Sequence, residues 1–204
     1  MADMVVGVDS RYWNGTRFPS LMGVKFFYGK VSDASWKPED VRHLLLEHQR
    51  RACDRQGIPY GGFHYHRQAY SSIAQVDMFA AKLQPGYKLP PALDFEDPYA
   101  KVDCGSSVLA LVREAVAVFG GRPIVYTRKG WWDSWVNAEQ AAEIASLCDL
   151  WVAHYTTAAA PLLPRGWSDW QVWQYAGDVT APGVNAKVDW NRAKPEWAAK
   201  YGIV

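Results

Sequence analysis

The sequence predicts an α/β fold: an irregular, TIM-like barrel of five β/α units followed by three largely helix-free strands. Three observations carry that expectation. Short apolar runs alternate with stretches of helical periodicity as far as residue 153, which implies a mostly parallel sheet with right-handed crossovers. Beyond Tyr155 the helical patterns stop, and Pro161, Pro164, Gly166, Gly177, Pro182 and Gly183 punctuate the remainder. The length, 204 residues, falls short of the ~250 typical of a complete eight-unit barrel.

Residues 4–8 form an apolar run closed by Asp9-Ser10 and the turn residues Asn14-Gly15, the pattern of a first strand. Residues 22–28 read as the second strand, ending at Gly29-Lys30. Residues 38–55 read as a helix: Pro38 suits an early helical position, Val41, Leu44, Leu45 and His48 recur at helical spacing, and Gly57 ends it. Residues 60–66 are the third strand. Residues 73–83 are the second helix, with Val76, Phe79, Ala80 and Leu83 on one face. Residues 92–95 are the fourth strand, 108–119 a helix stopped by Gly120-Gly121, and 123–126 the fifth strand. Residues 138–147 are helical and 150–153 a sixth strand; 171–175 and 186–190 supply the last two. With no internal repeat, low-complexity tract or linker, residues 1–204 read as a single domain.

Composition excludes several function classes. Lys and Arg number 22 against 21 Asp and Glu, a net charge of +1, which gives no electrostatic ground for capturing nucleic acid. No apolar stretch approaches the ~18 residues that span a bilayer, so no membrane insertion is expected. Met1-Ala2-Asp3-Met4 lacks a basic patch and leads into a strand, so it does not read as a signal peptide. Cys53, Cys104 and Cys148 are odd in number, far apart and without C-x-x-C spacing. They read as small buried thiols in a protein that folds under reducing conditions or before any export, with no zinc site and no cofactor. Eleven Trp and eleven Tyr suit a large aromatic core. Trp13, Trp36, Trp131-Trp132 and Trp167 lie in polar, turn-like stretches, where they also suit packing on sugar rings.

In parallel β/α barrels the working residues gather at the carboxyl ends of the strands. Here those ends carry Asp9, Lys30, His64 and His66, Asp94 and Glu96, Tyr126, His154 and Tyr155, Gln174 and Tyr175, and Asp189. The most informative segment is Pro90-Pro91-Ala92-Leu93-Asp94-Phe95-Glu96, a short apolar strand running into two carboxylates one residue apart. Strand alternation places both acids on one face, roughly 6.5–7 Å apart at Cα. Acids held side by side can be driven to different pKa values, one keeping a proton and one ionised. Cleavage of a glycosidic bond needs that division: a proton for the leaving oxygen and negative charge for the cationic sugar. Taken alone, the segment also reads as a strand ending in a solvated acidic loop, which Asp97-Pro98 continues. Acids from the beginning, middle and end of the chain would meet at one mouth. Asp9 and Asp189 equally suit tying the first strand to the last, and both roles can coexist.

An ordered set of motifs resembles glycoside hydrolase family 25, the muramidases often called Chalaropsis-type lysozymes. Gly7-Val8-Asp9 with Trp13-Asn14-Gly15 opens it, followed by Lys30-Val31-Ser32-Asp33 and Gly62-Phe63-His64-Tyr65. Leu93-Asp94-Phe95-Glu96, Pro123-Ile124-Val125-Tyr126-Thr127 and Leu150-Trp151-Val152-Ala153-His154-Tyr155 continue it, and Trp173-Gln174-Tyr175 and Val188-Asp189-Trp190-Asn191 close it. The resemblance implies hydrolysis of the β-1,4 bond between N-acetylmuramic acid and N-acetylglucosamine in bacterial peptidoglycan, with retention. It implies Glu96 as general acid and base. Asp94 is then either the nucleophile or the group that orients the substrate's acetamido for internal attack, which the D-x-E arrangement favours. Asp9 and Asp189 complete an acidic floor. Tyr65, Tyr126 and Tyr155 are candidate substrate contacts, with His64, Trp13 and Gln174 beside them. The expected partner is a peptidoglycan glycan strand, met by a monomer. Without a signal peptide or wall-binding repeat, the chain fits a phage lysis enzyme that waits in the host cytoplasm before reaching the wall; a bacterial protein exported by another route would look the same. The chain departs from the family pattern at Arg11, where serine is usual, at Val31-Ser32-Asp33, where Ala-Thr-Glu is usual, and at Phe63, where tyrosine is usual. None of these removes an inferred catalytic carboxylate.

Two rivals remain at this level. His64-x-His66, His154 and Asp189 could serve a metal-dependent amidohydrolase, since imidazole and carboxylate hold divalent ions well. A glycan-binding barrel that has lost turnover is the other, although its mark, loss of Asp94 or Glu96, is missing.

Overall fold

The computed structural model describes residues 4–11, 21–37, 42–83, 86–180 and 187–203. Eight strands close into one barrel in chain order: β1 (Val5–Ser10), β2 (Phe26–Asp33), β3 (Tyr60–Tyr65), β4 (Ala92–Phe95), β5 (Ile124–Thr127), β6 (Asp149–Ala153), β7 (Val172–Thr180) and β8 (Lys187–Ala193). Neighbours from β1 to β7 run parallel, and β8 lies antiparallel to both β7 and β1. Helices α1 (Arg42–Arg55), α2 (Ser72–Lys82) and α3 (Cys104–Phe119) follow β2, β3 and β4, and the β5–β6 crossover carries α4 (Lys129–Trp135) and α5 (Ala138–Leu147). A last helix, α6 (Pro195–Lys200), follows β8.

Local sequence explains the crossovers. The apolar face of α3, Val108, Leu111, Val112 and Ala115, packs with Leu93, Phe95 and Val125 of the barrel wall. Each valine, leucine or phenylalanine side chain among them stabilises the fold by roughly 1.5–3 kcal/mol when fully buried. Gly120 ends α3 in the left-handed region, at φ 67°, where a glycine escapes the Cβ clash. Asn137 opens α5 with a capping box, accepting from the Gln140 backbone while the Gln140 side chain accepts from Asn137 N–H.

Strand alternation splits the core into two layers. Leu93 and Phe95 face the helices, while Ala92 turns inward to an aromatic interior with Phe26, Tyr28, Phe63, Tyr126 and Trp151. Trp197 and Ala198 of α6 pack into that interior, with Trp197 5.9 Å from Phe26. The side chains therefore plug the barrel rather than line a channel.

Several elements differ from the sequence expectation. β2 begins at Phe26, not at residue 22, and continues to Asp33; Met22 is 73% exposed in a turn. Lys30, Ser32 and Asp33 look like a strand end because they are polar, yet all three are buried and satisfied by one another and by β3. β7 and β8 likewise run on to Thr180 and Ala193. α3 begins four residues early at Cys104, and α4 and α6 are unforeseen, being short elements whose stability comes from burying Trp131, Trp132 and Trp197. The start of the first expected helix, at 38–41, lies outside the described residues. Trp36, Trp131 and Trp132 are buried, and Trp167 packs on Trp132 at 4.8 Å, so these rings are core rather than sugar platforms. The three cysteines are free and buried.

Candidate active site

β1 delivers Asp9 to the barrel mouth, where it stands directly opposite Asp189 in the β1–β8 pairing. Asp94 lies on β4 with the inward parity of Ala92, and Glu96 follows just beyond the strand. Asp189 is near enough for its charge to act on Asp9 and Glu96, Glu96 borders an outer cavity, and Asp9 and Asp94 line the pit beneath it. Its deep end is lined by Asp9, Arg11, Phe63, Asp94, Tyr126 and Gln174. Beyond Glu96 the pit opens into a cavity of about 500 Å³, bordered by Glu96, Tyr126, Arg128, His154, Tyr155 and Leu162.

A hydrogen-bond network fixes the floor. Asp9 Oδ2 accepts from Gln174 Nε2 at 2.8 Å and from Asn191 Nδ2 at 2.7 Å. The opposite face of the same glutamine, Oε1, accepts from the hydroxyls of Tyr126 at 2.9 Å and Tyr155 at 2.8 Å. Asn191 Oδ1 accepts from the Trp151 indole at 2.8 Å, and Asp189 Oδ1 accepts from the Asp178 backbone at 2.8 Å. Asp94 differs: its Oδ1 is buried and, among the described residues, has no hydrogen-bond partner. Buried acceptors are rarely left so.

Burial and mutual repulsion push these acids upward. Asp9 is raised to about 8 by burial first and then by Asp189, against the two amide donors. Burial, reinforced by the Glu96 charge, holds Asp94 well above the ordinary carboxylate range. Glu96 is raised by burial, but Arg11, Arg128 and Lys30 oppose the rise. Asp189 is raised by burial too. Four carboxylates in one pit cannot all ionise, so protons are retained there at neutral pH. Arg11 is the cation in contact, with Nη2 3.3 Å from Glu96 Oε1. Lys30 stands behind, its Nζ 2.7 Å from Asp33 Oδ2 and 4.2 Å from the centre of the Tyr65 ring.

The expected residues fall into three groups. Asp9, Asp94, Glu96, Asp189, Tyr65, Tyr126, Tyr155 and Gln174 come together at the mouth. His64 does not join them: it is buried in the wall, Nδ1 sharing a hydrogen bond with Ser32 at 2.8 Å and Nε2 with Gln75 at 3.1 Å. That placement contradicts substrate contact, because neither ring nitrogen is left for a sugar. Trp13 lies outside the described residues. His66 shares a hydrogen bond with Ser107 at 2.9 Å, and His154 Nδ1 accepts from the Leu162 backbone. Among the described residues no His, Cys, Asp and Glu cluster could hold a metal ion. Asn191 and the contact role of Arg11 were missed. Asn191 was within reach of strand parity, since it lies two residues after Asp189; nothing in spacing announces the Arg11 contact.

Comparison with known proteins agrees with this fold. Residues 8–184 match the family model of glycosyl hydrolases family 25. The chain is 27% identical over 204 residues to Lysozyme M1 of Streptomyces globisporus, covering 92% of this chain and 67% of that one. It is 28% identical over 138 residues to the N,O-diacetylmuramidase of Chalaropsis sp., covering 61% of this chain and 64% of that protein. The chain thus spans about two thirds of the length of these curated relatives. A crystal structure of the bacterial lysozyme from Streptomyces coelicolor superposes with a TM-score of 0.81 at 26% identity, over 98% of this chain and 96% of that one. A closed eight-stranded barrel, paired carboxylates at the end of β4 and a family match along most of its length make this chain a member of glycosyl hydrolases family 25.

Proposed function

We propose that the protein cleaves the β-1,4 bond between N-acetylmuramic acid and N-acetylglucosamine in peptidoglycan, acting as a monomer on single glycan strands. Glu96 is the general acid and later the general base. Asp94 orients the substrate's 2-acetamido group. The observation that carries this reading is the buried Asp94 Oδ1, unpartnered among the described residues, beside Glu96, an acceptor of the kind an acetamido N–H satisfies.

The N-acetylmuramic acid ring sits over the deep pit and its leaving partner in the 500 Å³ cavity, with Glu96 on the wall between them. Glu96 gives its proton to the glycosidic oxygen as the C1–O bond breaks. The acetamido carbonyl oxygen closes on C1 while its N–H donates to Asp94, whose negative charge stabilises the cationic ring that forms. Water then attacks C1 with Glu96 as base, restoring the starting configuration. Asp9 and Asp189 form the floor under the ring as hydrogen-bonding carboxyls, and Tyr126 and Tyr155, held by Gln174, shape its rim. The names of the two curated relatives, a lysozyme and a diacetylmuramidase, support this substrate class.

Mass spectrometry of digested peptidoglycan tests the bond: the new reducing ends should be N-acetylmuramic acid. Reducing ends of N-acetylglucosamine would overturn the assignment. Glu96→Gln, which removes the acid without changing its shape, should lower kcat by about 10²–10⁴-fold while wall binding persists.

A further inference from the structure

Arg11 follows β1 and enters the pit from its rim, side chain 37% exposed, to meet a Glu96 side chain that is 18% exposed. Among the described residues it alone forms an ion pair with Glu96. The other groups facing Glu96 are Lys30 from β2, Asp94 from its own strand, Arg128 beyond β5, Asp189 from β8, and the phenols of Tyr65, Tyr126 and Tyr155. The same guanidinium also lines the deep pit with Asp9 and Asp94.

This pairing conflicts with what the chemistry needs. An arginine against a carboxylate favours its ionised form, whereas a general acid must hold a proton. Asp94, buried and without a donor at Oδ1 among the described residues, favours its neutral form. Before saccharide arrives, the shared proton therefore rests on Asp94 and the charge on Glu96, the reverse of the working state.

We infer that Arg11 is a positioning residue that holds Glu96 in a resting ion pair and is drawn off it by the incoming glycan, so that binding itself relocates the proton from Asp94 to Glu96. The balance is simple. One proton leaves the Asp94 carboxyl, one arrives on the Glu96 carboxylate, and the pair keeps a single negative charge throughout. The acetamido N–H stabilises the new Asp94 carboxylate, and the displaced guanidinium stays in the pit, where Asp94 and Asp9 already face it. Substrate thus arms the acid that will cut it. The inference rests on the reading of Glu96 as the general acid.

Arg11→Ser and Arg11→Lys, assayed on soluble, uncross-linked glycan strands across pH, test it. The pH profile of kcat/KM reports the free enzyme and that of kcat the saccharide complex. Removing the cation lets Glu96 keep its proton to higher pH, so in Arg11→Ser the alkaline limb of kcat/KM should rise by about one unit. The alkaline limb of kcat should stay in place, and Arg11→Lys should leave both limbs within a few tenths of a unit. Arg11→Gln gives the same reading if the serine variant does not fold. A kcat/KM limb unmoved in the neutral variants overturns the resting pair; a kcat limb that moves equally overturns the displacement. Glu96→Gln run alongside separates the failures. If it retains turnover, the acid assignment itself is wrong; if it is inactive while the Arg11 limbs do not move, only the role of Arg11 falls.

Discussion

Burying Asp9, Asp94, Glu96 and Asp189 together costs stability that the site's chemistry requires. A carboxyl whose folded pKa is raised contributes fully below its unfolded value near 4, and that contribution is lost as pH rises through the folded value. For Asp9 that loss extends to about pH 8. Asp9→Asn should therefore be more stable than the parent above pH 6, with urea midpoints of the two proteins diverging between pH 5 and 9; parallel midpoints would count against a raised Asp9. His64 and His66 act in the opposite direction, being lowered by burial to about 4 and about 3, so they withdraw stability as pH falls below 6.5. Of these residues the acids were legible in the sequence as strand-end carboxylates, because each follows a short apolar run. His64 was misplaced there because membership of a motif does not say which way a ring points, and Ser32 and Gln75, which hold it, come from distant segments.

Between elements, the ends of β2, β3 and β4 are laced together by charge. Asp33 at the end of β2 accepts from Lys30, and Arg67, just past β3, lies 3.0 Å from Asp33 and 3.4 Å from Asp97 beyond β4. Lys30 holds Asp33 well below the usual carboxylate range against the cost of its burial, so this contribution is present above pH 4 and fades in stronger acid. Asp33→Ala leaves the buried Lys30 ammonium without its counter-charge and should cost about 3–5 kcal/mol at pH 7, read from urea melts. A cost below about 1 kcal/mol would mean that water already screens the group. This lacing also explains why β2 was read as ending too early: hydrophobicity marks a strand only while its partners are apolar, and here the partners are ions. The long amphipathic helices α2, α3 and α5 were legible within a few residues, whereas α4 and α6 depend on tertiary burial that local pattern does not encode.

At the scale of the whole molecule, β8 closes a parallel barrel by running backwards, and Asn191 on that strand bolts the closure. It donates to Asp9 on β1 and accepts from Trp151 on β6 across the interior. Asn191→Ala strands the Trp151 N–H in an aromatic core and should lower stability by about 2–4 kcal/mol in calorimetry or denaturant melts. An unchanged melting temperature would show the closure to be held by packing alone. The alternating pattern revealed the barrel, and the reading of aromatic excess as core proved correct for most tryptophans, but the carboxamides that lock its interior left no periodic trace. Gln174 carries this furthest. One side chain on β7 joins Asp9 of β1, Tyr126 of β5 and Tyr155 beyond β6, so four residues from separate stretches of the gene share a single amide. Inheritance should treat them as a block: a change tolerated at one is conditional on the other three, and drift at this rim has to proceed by rare concerted replacement.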